Sequence, residues 1–449
     1  VTKRRFFGTD GMRGKAGVWP MTPEVITKLA MSAGLEFQGA GGYHSVVIGK
    51  DTRLSGYMVE ASLEAGFTAM GLKVYLVGPL PTPAVALLTK SLRADLGIMV
   101  SASHNAYEDN GIKFFGPDGY KLSDEIELAI ERHMLEDIPL VTMEKFGKAK
   151  RIEDAGGRYI EYAKSSFPKD LSLNGLRIVV DCAHGSGYKV GPSVLWELGA
   201  EIIPIGVSPT GLNIKENCGA TKVDLARETL LREKADVAVV LDGDADRIIM
   251  IDNEGHVLDG DQLLALITYH FQNTHKLTSD KVIATQMSNL GLERYIKTLG
   301  LSLVRTNVGD RYVIEAMRQH NANIGGEQSG HIILHDYTTT GDGIIAALQV
   351  LAIMQSSQKS LCDLSRIYDP VPQVTHNLRV EKKLNIQDDG IISMIERAKA
   401  QIGENGYLLV RPSGTEPVLR LMAQGDNKDL LTRIIQDLAS DLQKASKST

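Results

Sequence analysis

The stretch that decides the fold runs from Val46-Val47-Ile48-Gly49 to Lys73-Val74-Tyr75-Leu76-Val77-Gly78. Its first four residues read as a short buried strand. The polar loop Lys50 to Gly56 then leads into a helix with Val59, Leu63, Phe67 and Met70 on one face. Gly71 ends that helix and a second strand follows at once. The same order recurs in Arg177-Ile178-Val179-Val180, the loop Cys182 to Gly187, a helix ending at Gly199, and Glu201 to Gly206. It recurs again from Val282-Ile283-Ala284-Thr285 through a helix ending at Gly300 to Leu301-Ser302-Leu303-Val304. Strand, loop, amphipathic helix, glycine and strand is the pattern of a right-handed βαβ unit, so three α/β domains on one plan are expected. Ligands in such sheets bind beyond the C-terminal ends of the strands.

Outward from these repeats the pattern changes. After about residue 370 the order is a strand (Leu378 to Val380), a helix near Gly390 to Gln401, adjacent strands at Tyr407 to Val410 and Val418 to Met422, and a terminal helix from Lys428. Two helices on an antiparallel sheet make a small α+β domain. The expected domains are therefore 1–151, 152–252, 253–369 and 370–449, which suits a chain of 449 residues, too long for one core.

Composition narrows the function. The chain is 43% hydrophobic and 23% charged, values of an ordinary globular protein that exclude a disordered or fibrous one. Its net charge of −6 lacks the basic excess that a phosphate backbone demands, so nucleic acid is not an expected partner. Cys182, Cys218 and Cys362 are too few and too dispersed for a disulfide framework or a clustered zinc site, which makes a reducing cytoplasm the expected location. The basic residues near Val1 precede no apolar segment, and no run of about 18 apolar residues follows elsewhere. Neither secretion nor membrane insertion is expected.

Four loops carry residues suited to chemistry. Leu96 to Val100 reads as a buried strand that delivers Ser101-Ala102-Ser103-His104-Asn105. Neighbours on an extended chain face opposite ways, so Ser103 and His104 are not expected to form a hydrolase dyad, and no G-x-S-x-G elbow is present. Ala238 to Leu241 delivers Asp242, Asp244 and Asp246, three carboxylates at period two, followed by Arg247. Uncompensated, such carboxylates repel by roughly 4 kcal/mol per pair at about 4 Å and an effective dielectric of about 20, so a divalent cation is the natural remedy. An EF-hand is excluded, because Arg247 and Asn253 stand where glycine and glutamate would be needed. Mg²⁺ with few protein ligands completes its shell with water or phosphate oxygen. Arg411-Pro412-Ser413-Gly414-Thr415-Glu416-Pro417, with Arg420 nearby, has the amides, hydroxyls and guanidinium of an anion clamp. Gly325-Gly326-Glu327-Gln328-Ser329-Gly330-His331 offers a carboxylate and a hydroxyl suited to sugar hydroxyls.

Taken in order, these loops resemble the α-D-phosphohexomutase superfamily, together with Phe7-Gly8-Thr9-Asp10-Gly11-Met12-Arg13-Gly14 and Gly309-Asp310-Arg311-Tyr312-Val313. The resemblance spans nearly the whole chain. It implies an α/β fold of three related α/β domains with mixed sheets plus a C-terminal α+β domain around a central cleft. It implies that Ser103 is the phosphorylated serine and a metal ligand through its phosphate, that Asp242, Asp244 and Asp246 bind Mg²⁺, and that Arg13, Lys113 and Arg247 surround the transferring phosphate, with His104 or Lys113 able to relay protons. Glu327 and Ser329 match the sugar loop, and Arg411, Ser413, Gly414, Thr415 and Arg420 match the loop that holds the non-reacting phosphate. Asp310 and Arg311, with Gln328, look like the glucosamine branch.

The implied reaction is reversible conversion of glucosamine 6-phosphate to glucosamine 1-phosphate, feeding UDP-N-acetylglucosamine and cell-wall synthesis, with glucosamine or glucose 1,6-bisphosphate as intermediate or activator. The implied partner is a small hexosamine phosphate, with no nucleic acid and no membrane, and a homodimer is left open. Ala106 stands where the superfamily usually has proline, which frees φ and restores an amide donor in the serine loop. The nearest rival is a member acting on mannose or glucose phosphates. A non-enzymatic sugar-phosphate sensor would need a lost nucleophile or metal triad, and both are present; an acidic-motif phosphatase would leave the Arg411 and Glu327 loops unexplained.

Overall fold

The computed structural model describes residues 5–8, 10–37, 44–380, 385–412 and 418–448. The first sheet contains β1 (Met12–Lys15), β2 (Ser45–Lys50), β3 (Lys73–Pro79), β4 (Leu96–Val100), β5 (Asp109–Phe115) and β6 (Ala149–Arg151), in the order β1-β5-β4-β2-β3-β6. β2 runs parallel to β3 and β4, with the helix Ser55–Ala69 as the crossover expected from the repeat. β5 then returns antiparallel to β4, and β1 pairs antiparallel outside it.

The second sheet, β7 (Arg177–Asp181), β8 (Glu201–Ile205), β9 (Val237–Leu241), β10 (Ile248–Asp252) and β11 (Val257–Leu258), has the order β11-β10-β9-β7-β8. The third, β12 (Lys281–Thr285), β13 (Ser302–Thr306), β14 (Ile324–Gly326) and β15 (Ile332–Leu334), has the order β13-β12-β14-β15. In both, parallel pairs form the centre and an antiparallel return closes one side: β9 with β10, and β14 with β15. The three α/β units are therefore mixed sheets built on one plan, as expected. The last sheet, β16 (Gln373–Arg379), β17 (Tyr407–Pro412) and β18 (Val418–Gln424), is antiparallel in the order β16-β18-β17 and packs under helices Asp389–Ile402 and Lys428–Ser448.

This plan places every loop of interest in the same way. The loops β4–β5, β9–β10 and β14–β15 are the turns of antiparallel returns, and they contain Ser103, the three aspartates and Glu327, respectively, while Arg411 lies near the end of β17, which pairs antiparallel with β18. One apolar core runs from Val47 and Val77 in the first sheet through Val180 and Val239 in the second to Ala284 and Leu334 in the third, so the three sheets are packed together. Helix Gly343–Ser357 is apolar on nearly all sides and sits inside that core. Its first turn is capped by Asp342, which accepts from the Ile344 and Ile345 amides, both at 3.0 Å, and from the Tyr159 hydroxyl at 2.9 Å. The three cysteines are buried free thiols. Among the described residues no helix is long and apolar enough to cross a membrane.

Candidate active site

Ser103 lies in the β4–β5 return and is 1% exposed. Its hydroxyl donates to Asp242 Oδ2 at 2.6 Å, which joins the first and second sheets across 139 residues of sequence. The two loops approach so closely that a Cβ on Gly243 would lie 2.6 Å from the Ser103 carbonyl oxygen; only glycine fits there. Ser103 itself adopts φ +48°, a left-handed conformation that costs a non-glycine residue on the order of 1–3 kcal/mol and is retained only where surrounding contacts over-determine it.

That conformation corrects one expectation. Because the chain is not extended at Ser103, Ser103 Oγ and His104 Nδ1 come within 3.4 Å rather than facing apart. They still do not make a hydrolase dyad. Arg247 Nη1 lies 3.0 Å from the same Nδ1, and burial, then the Arg247 and Arg13 charges, pull the imidazole pKa down to about 4. A neutral ring with Nδ1 accepting from Arg247 cannot also serve Ser103 as a base through that nitrogen.

The aspartates are buried and within reach of one another. Burial, reinforced by the charges of Asp246 and Asp244, pushes Asp242 well above the usual carboxylate range. Asp246 goes the other way: burial would raise it, but Lys113, His331 and Arg247 hold it well below. Lys113, 2% exposed on β5, places Nζ 2.7 Å from Asp244 Oδ2 and 3.2 Å from Asp246 Oδ2. Burial works against its charge, yet Asp10, Asp244 and Asp246 keep it protonated well above the ordinary lysine value.

The remaining oxygens test the metal. Asp244 Oδ1 and Asp246 Oδ1 are buried without a hydrogen-bond partner, and one oxygen from each of the three aspartates lies within 4.8 Å of the others. Orphaned carboxylate oxygens in a hard, all-oxygen set fit Mg²⁺. Asp244→Asn is expected to weaken Mg²⁺ binding at least about tenfold and to lower kcat, because one ligand charge is removed. Calorimetric titration checks this; an unchanged affinity would place the metal elsewhere.

Sequence reasoning missed several residues here. Thr82, at the start of helix Thr82–Ser91, grips Asp244 twice: its hydroxyl donates to Oδ2 at 2.6 Å and its amide to the carbonyl at 2.9 Å. His331, noted only as the end of a glycine-rich loop, is buried with Nδ1 3.8 Å from Asp246 and Nε2 3.5 Å from Asp310. Asp10 pairs with Arg13 and Lys121 and lies 3.7 Å from Lys113 Nζ. The Gly-Thr-Asp-Gly motif was the available signal for Asp10. Thr82 had none, since its partner is 162 residues away.

The third loop docks on the second. Gly330 accepts from the Ile248 amide at 3.0 Å, and the charge of Glu327 is among those that raise Arg247. Glu327 accepts from the Gly309 amide at 3.0 Å and the Ser329 hydroxyl at 3.3 Å. Asp310 pairs with Lys121 at 2.6 Å. Arg311 points elsewhere in this structure: its guanidinium bonds Glu127 at 2.7 Å and the Leu122 carbonyl at 3.0 Å and pairs with Asp124, so it ties the third unit to the first.

In the fourth unit Arg411 and Arg420 sit directly opposite each other on β17 and β18. Like charges in register destabilise a sheet. Among the described residues no carboxylate pairs with either, and burial together with Arg420 lowers the Arg411 pKa. Such a pair is relieved by a bound anion. Thr9, Ser413, Gly414 and Thr415 lie outside the described residues.

Four models of one family match the chain: phosphoglucomutase/phosphomannomutase alpha/beta/alpha domain I at residues 4–139, domain II at 157–255, domain III at 259–371 and the C-terminal domain at 376–440. A phosphoglucosamine mutase of Parvibaculum lavamentivorans is 53% identical over 442 residues, covering 98% of this chain and 99% of its own. A phosphoglucomutase/phosphomannomutase family protein from Burkholderia thailandensis superposes with a TM-score of 0.81 at 21% identity, over 98% of this chain and 97% of that one. Aspergillus fumigatus N-acetylphosphoglucosamine mutase, solved in complex with GlcNAc-6P and magnesium, does so with a TM-score of 0.69 at 18% identity, over 99% and 96%. At these identities the two structures speak to the fold.

Proposed function

The chain belongs to the phosphoglucomutase/phosphomannomutase family, and on that premise we propose that it converts glucosamine 6-phosphate reversibly to glucosamine 1-phosphate through phosphorylated Ser103. The observation that carries this reading is the Ser103 hydroxyl held 2.6 Å from a buried three-aspartate cluster, in a chain 53% identical to a phosphoglucosamine mutase over almost its whole length.

In the forward direction the C1 hydroxyl of the sugar attacks the phosphorus on Ser103. The new O–P bond forms as the Ser103 Oγ–P bond breaks; the hydroxyl loses a proton and Ser103 Oγ gains one. The product, a 1,6-bisphosphate, turns end for end and returns its C6 phosphoryl group to Ser103 by the same exchange in reverse, leaving the 1-phosphate. Mg²⁺ held by Asp242, Asp244 and Asp246 would supply charge neutralisation at the transferring oxygens. Lys113 and Arg247 act in the same place as fixed cations, with Arg13 beside them. Lys113 donates to the Oδ2 atoms of Asp244 and Asp246, while their Oδ1 atoms have no hydrogen-bond partner, so both residues would keep an oxygen with which to hold the metal. Glu327 and Ser329 accept and donate to sugar hydroxyls, with Asp310 supporting that loop through Lys121 and His331. Arg411 and Arg420, with the Ser413–Gly414–Thr415 stretch, hold whichever phosphate is not reacting.

Two tests follow from this division of labour. Turnover of glucosamine, glucose and mannose 6-phosphates should be compared; kcat/KM is expected to be highest on glucosamine 6-phosphate, and a higher value on mannose or glucose would assign the rival substrate. Arg411→Ala should weaken substrate binding in both directions and let bisphosphate escape. A charge-assisted hydrogen bond contributes about 1.5–3 kcal/mol, or roughly a 10- to 150-fold loss in kcat/KM. Normal KM with no released bisphosphate would remove the clamp role from Arg411.

A further inference from the structure

Beneath the serine loop lies a guanidinium that the reaction as described does not use. Arg53 follows β2 and is 0% exposed. Its Nη2 donates to the Ser103 carbonyl at 2.8 Å and to the Asn105 carbonyl at 3.1 Å; its Nη1 donates to the Ala106 carbonyl at 3.0 Å and again to Asn105 at 3.3 Å. Its Nε donates to Asp51 Oδ2 at 2.9 Å, and its own amide donates to Asp51 Oδ1 at 2.9 Å. Asp51 in turn accepts from the Ser101 hydroxyl at 2.6 Å, and Ser101 Oγ accepts from the Ser103 amide at 2.9 Å. Both backbone polar groups of the nucleophile are thus held from one side by a single buried assembly of Asp51, Arg53 and Ser101.

We propose that Arg53 is a positioning residue for phosphoryl transfer: its planar fork fixes the carbonyls of Ser103, Asn105 and Ala106 and so sets where Ser103 Oγ stands relative to the metal ligands. The argument rests on the reaction assigned above, and three observations support it. The left-handed Ser103 needs an external hold, and the fork grips the carbonyl of that residue. The same carbonyl abuts Gly243, so its position also sets the spacing to the aspartate loop. Finally, Ala106 leaves free a φ that proline would restrict, and its carbonyl is one of the groups Arg53 holds, which supplies rigidity from below. Guanidinium geometry matters, because an ammonium cannot present the same planar fork of donors.

The test is pre-steady-state. The reference enzyme and the variants Arg53→Ala, Arg53→Lys and Ser101→Ala are loaded with glucosamine 1,6-bisphosphate, and Ser103 occupancy is measured by intact mass. Single-turnover transfer to glucosamine 6-phosphate is then followed per phosphorylated site. Displacement of a reacting group by about 1 Å costs about 100-fold, so Arg53→Ala should transfer about 100-fold more slowly. Its substrate Kd should stay within about threefold, since Arg53 touches none of the binding loops. Arg53→Lys should be intermediate, and millimolar guanidinium ion should recover part of the Arg53→Ala rate.

A purely structural role would show as a lower melting temperature and fewer loaded sites with an unchanged rate per loaded site, and that result overturns the proposal. If Arg53→Ala does not fold, Ser101→Ala decides: it removes the acceptor of the Ser103 amide and little volume, and is expected to slow transfer about tenfold, while an unchanged per-site rate again overturns it. Failure of the reference phosphoenzyme to transfer to glucosamine 6-phosphate would count against the assigned substrate. The Arg53 comparison is then read on glucose and mannose 6-phosphates by the same criterion.

Discussion

Ser103→Ala is expected to lower turnover by roughly 10⁴- to 10⁶-fold, the range that follows loss of a covalent nucleophile, while leaving the fold intact. The substitution removes one oxygen. The left-handed backbone at position 103 suits alanine no worse than serine, and the Asp51, Arg53 and Ser101 contacts go to backbone atoms that alanine keeps. The short bond lost is the donation to Asp242, whose other oxygen still accepts from the Arg247 amide at 3.3 Å, and the 3.4 Å contact with His104 Nδ1 goes with it. Binding of glucosamine 6-phosphate should therefore persist, measured by calorimetry, while phosphate incorporation into the protein disappears. Turnover above a trace level would assign the nucleophile to another residue.

Lys113→Met is expected to separate stability from catalysis. Lys113 is a buried cation facing Asp244, Asp246 and Asp10, and removing one partner of a buried ionic cluster typically destabilises by about 3–5 kcal/mol. In the variant the aspartates lose the nearest of their internal counter-charges, with Arg247 and His331 remaining, so Mg²⁺ gains electrostatic attraction at the site. A ligand that binds only the folded state stabilises it in proportion to RT ln(1 + [L]/Kd). The melting temperature in chelator should therefore fall, the rise on adding Mg²⁺ should exceed that of the reference protein, and the Mg²⁺ affinity should increase. Meanwhile kcat should fall about 10²- to 10³-fold, the usual effect of losing one donor aimed at transferring charge. Melts and metal titrations over a Mg²⁺ series check this. An identical Mg²⁺ response in both proteins would show that Lys113 and the metal do not share the carboxylates.

Much of this arrangement was legible in the chain because it is local. The βαβ units announce themselves through short apolar runs, one helical face and a closing glycine, all within about 30 residues, and the helix Asp389–Ile402 and the strands around Arg411 appear within a few residues of their expected limits. The four loops stood out for the same reason, since each is a contiguous motif following an apolar segment.

What the local pattern hides is pairing. The sequence shows that Ser103 ends a strand, but not that β5 turns back beside β4 so that Lys113 meets Asp244 and Asp246 across more than 130 residues. Thr82 reads as an ordinary helix start, and Arg53 as a loop cation, because the atoms that define their roles belong to distant segments. The extended-chain argument at Ser103 and His104 failed for a related reason: a left-handed residue is imposed by long-range contacts, and serine carries no local preference for it.

The 139 residues between Ser103 and Asp242 also set a timetable for the newborn chain. Everything that shapes the serine loop from beneath lies within some fifty residues of it, so that loop can be shaped once the first sheet has left the ribosome. Its acceptor Asp242, with Asp244 and Asp246, has not been synthesised by then. At about 5–20 residues per second, Asp242 is polymerised roughly 7–28 s after Ser103. In the later part of that interval, once the sheet that ends at Arg151 has formed, the nascent protein carries a positioned hydroxyl without its hydrogen-bond acceptor. On the proposed function, transfer at Ser103 requires the second sheet to fold against the first and then the third and fourth units to add Glu327 and Arg411, so a prematurely terminated chain ending before residue 242 is expected to be chemically silent.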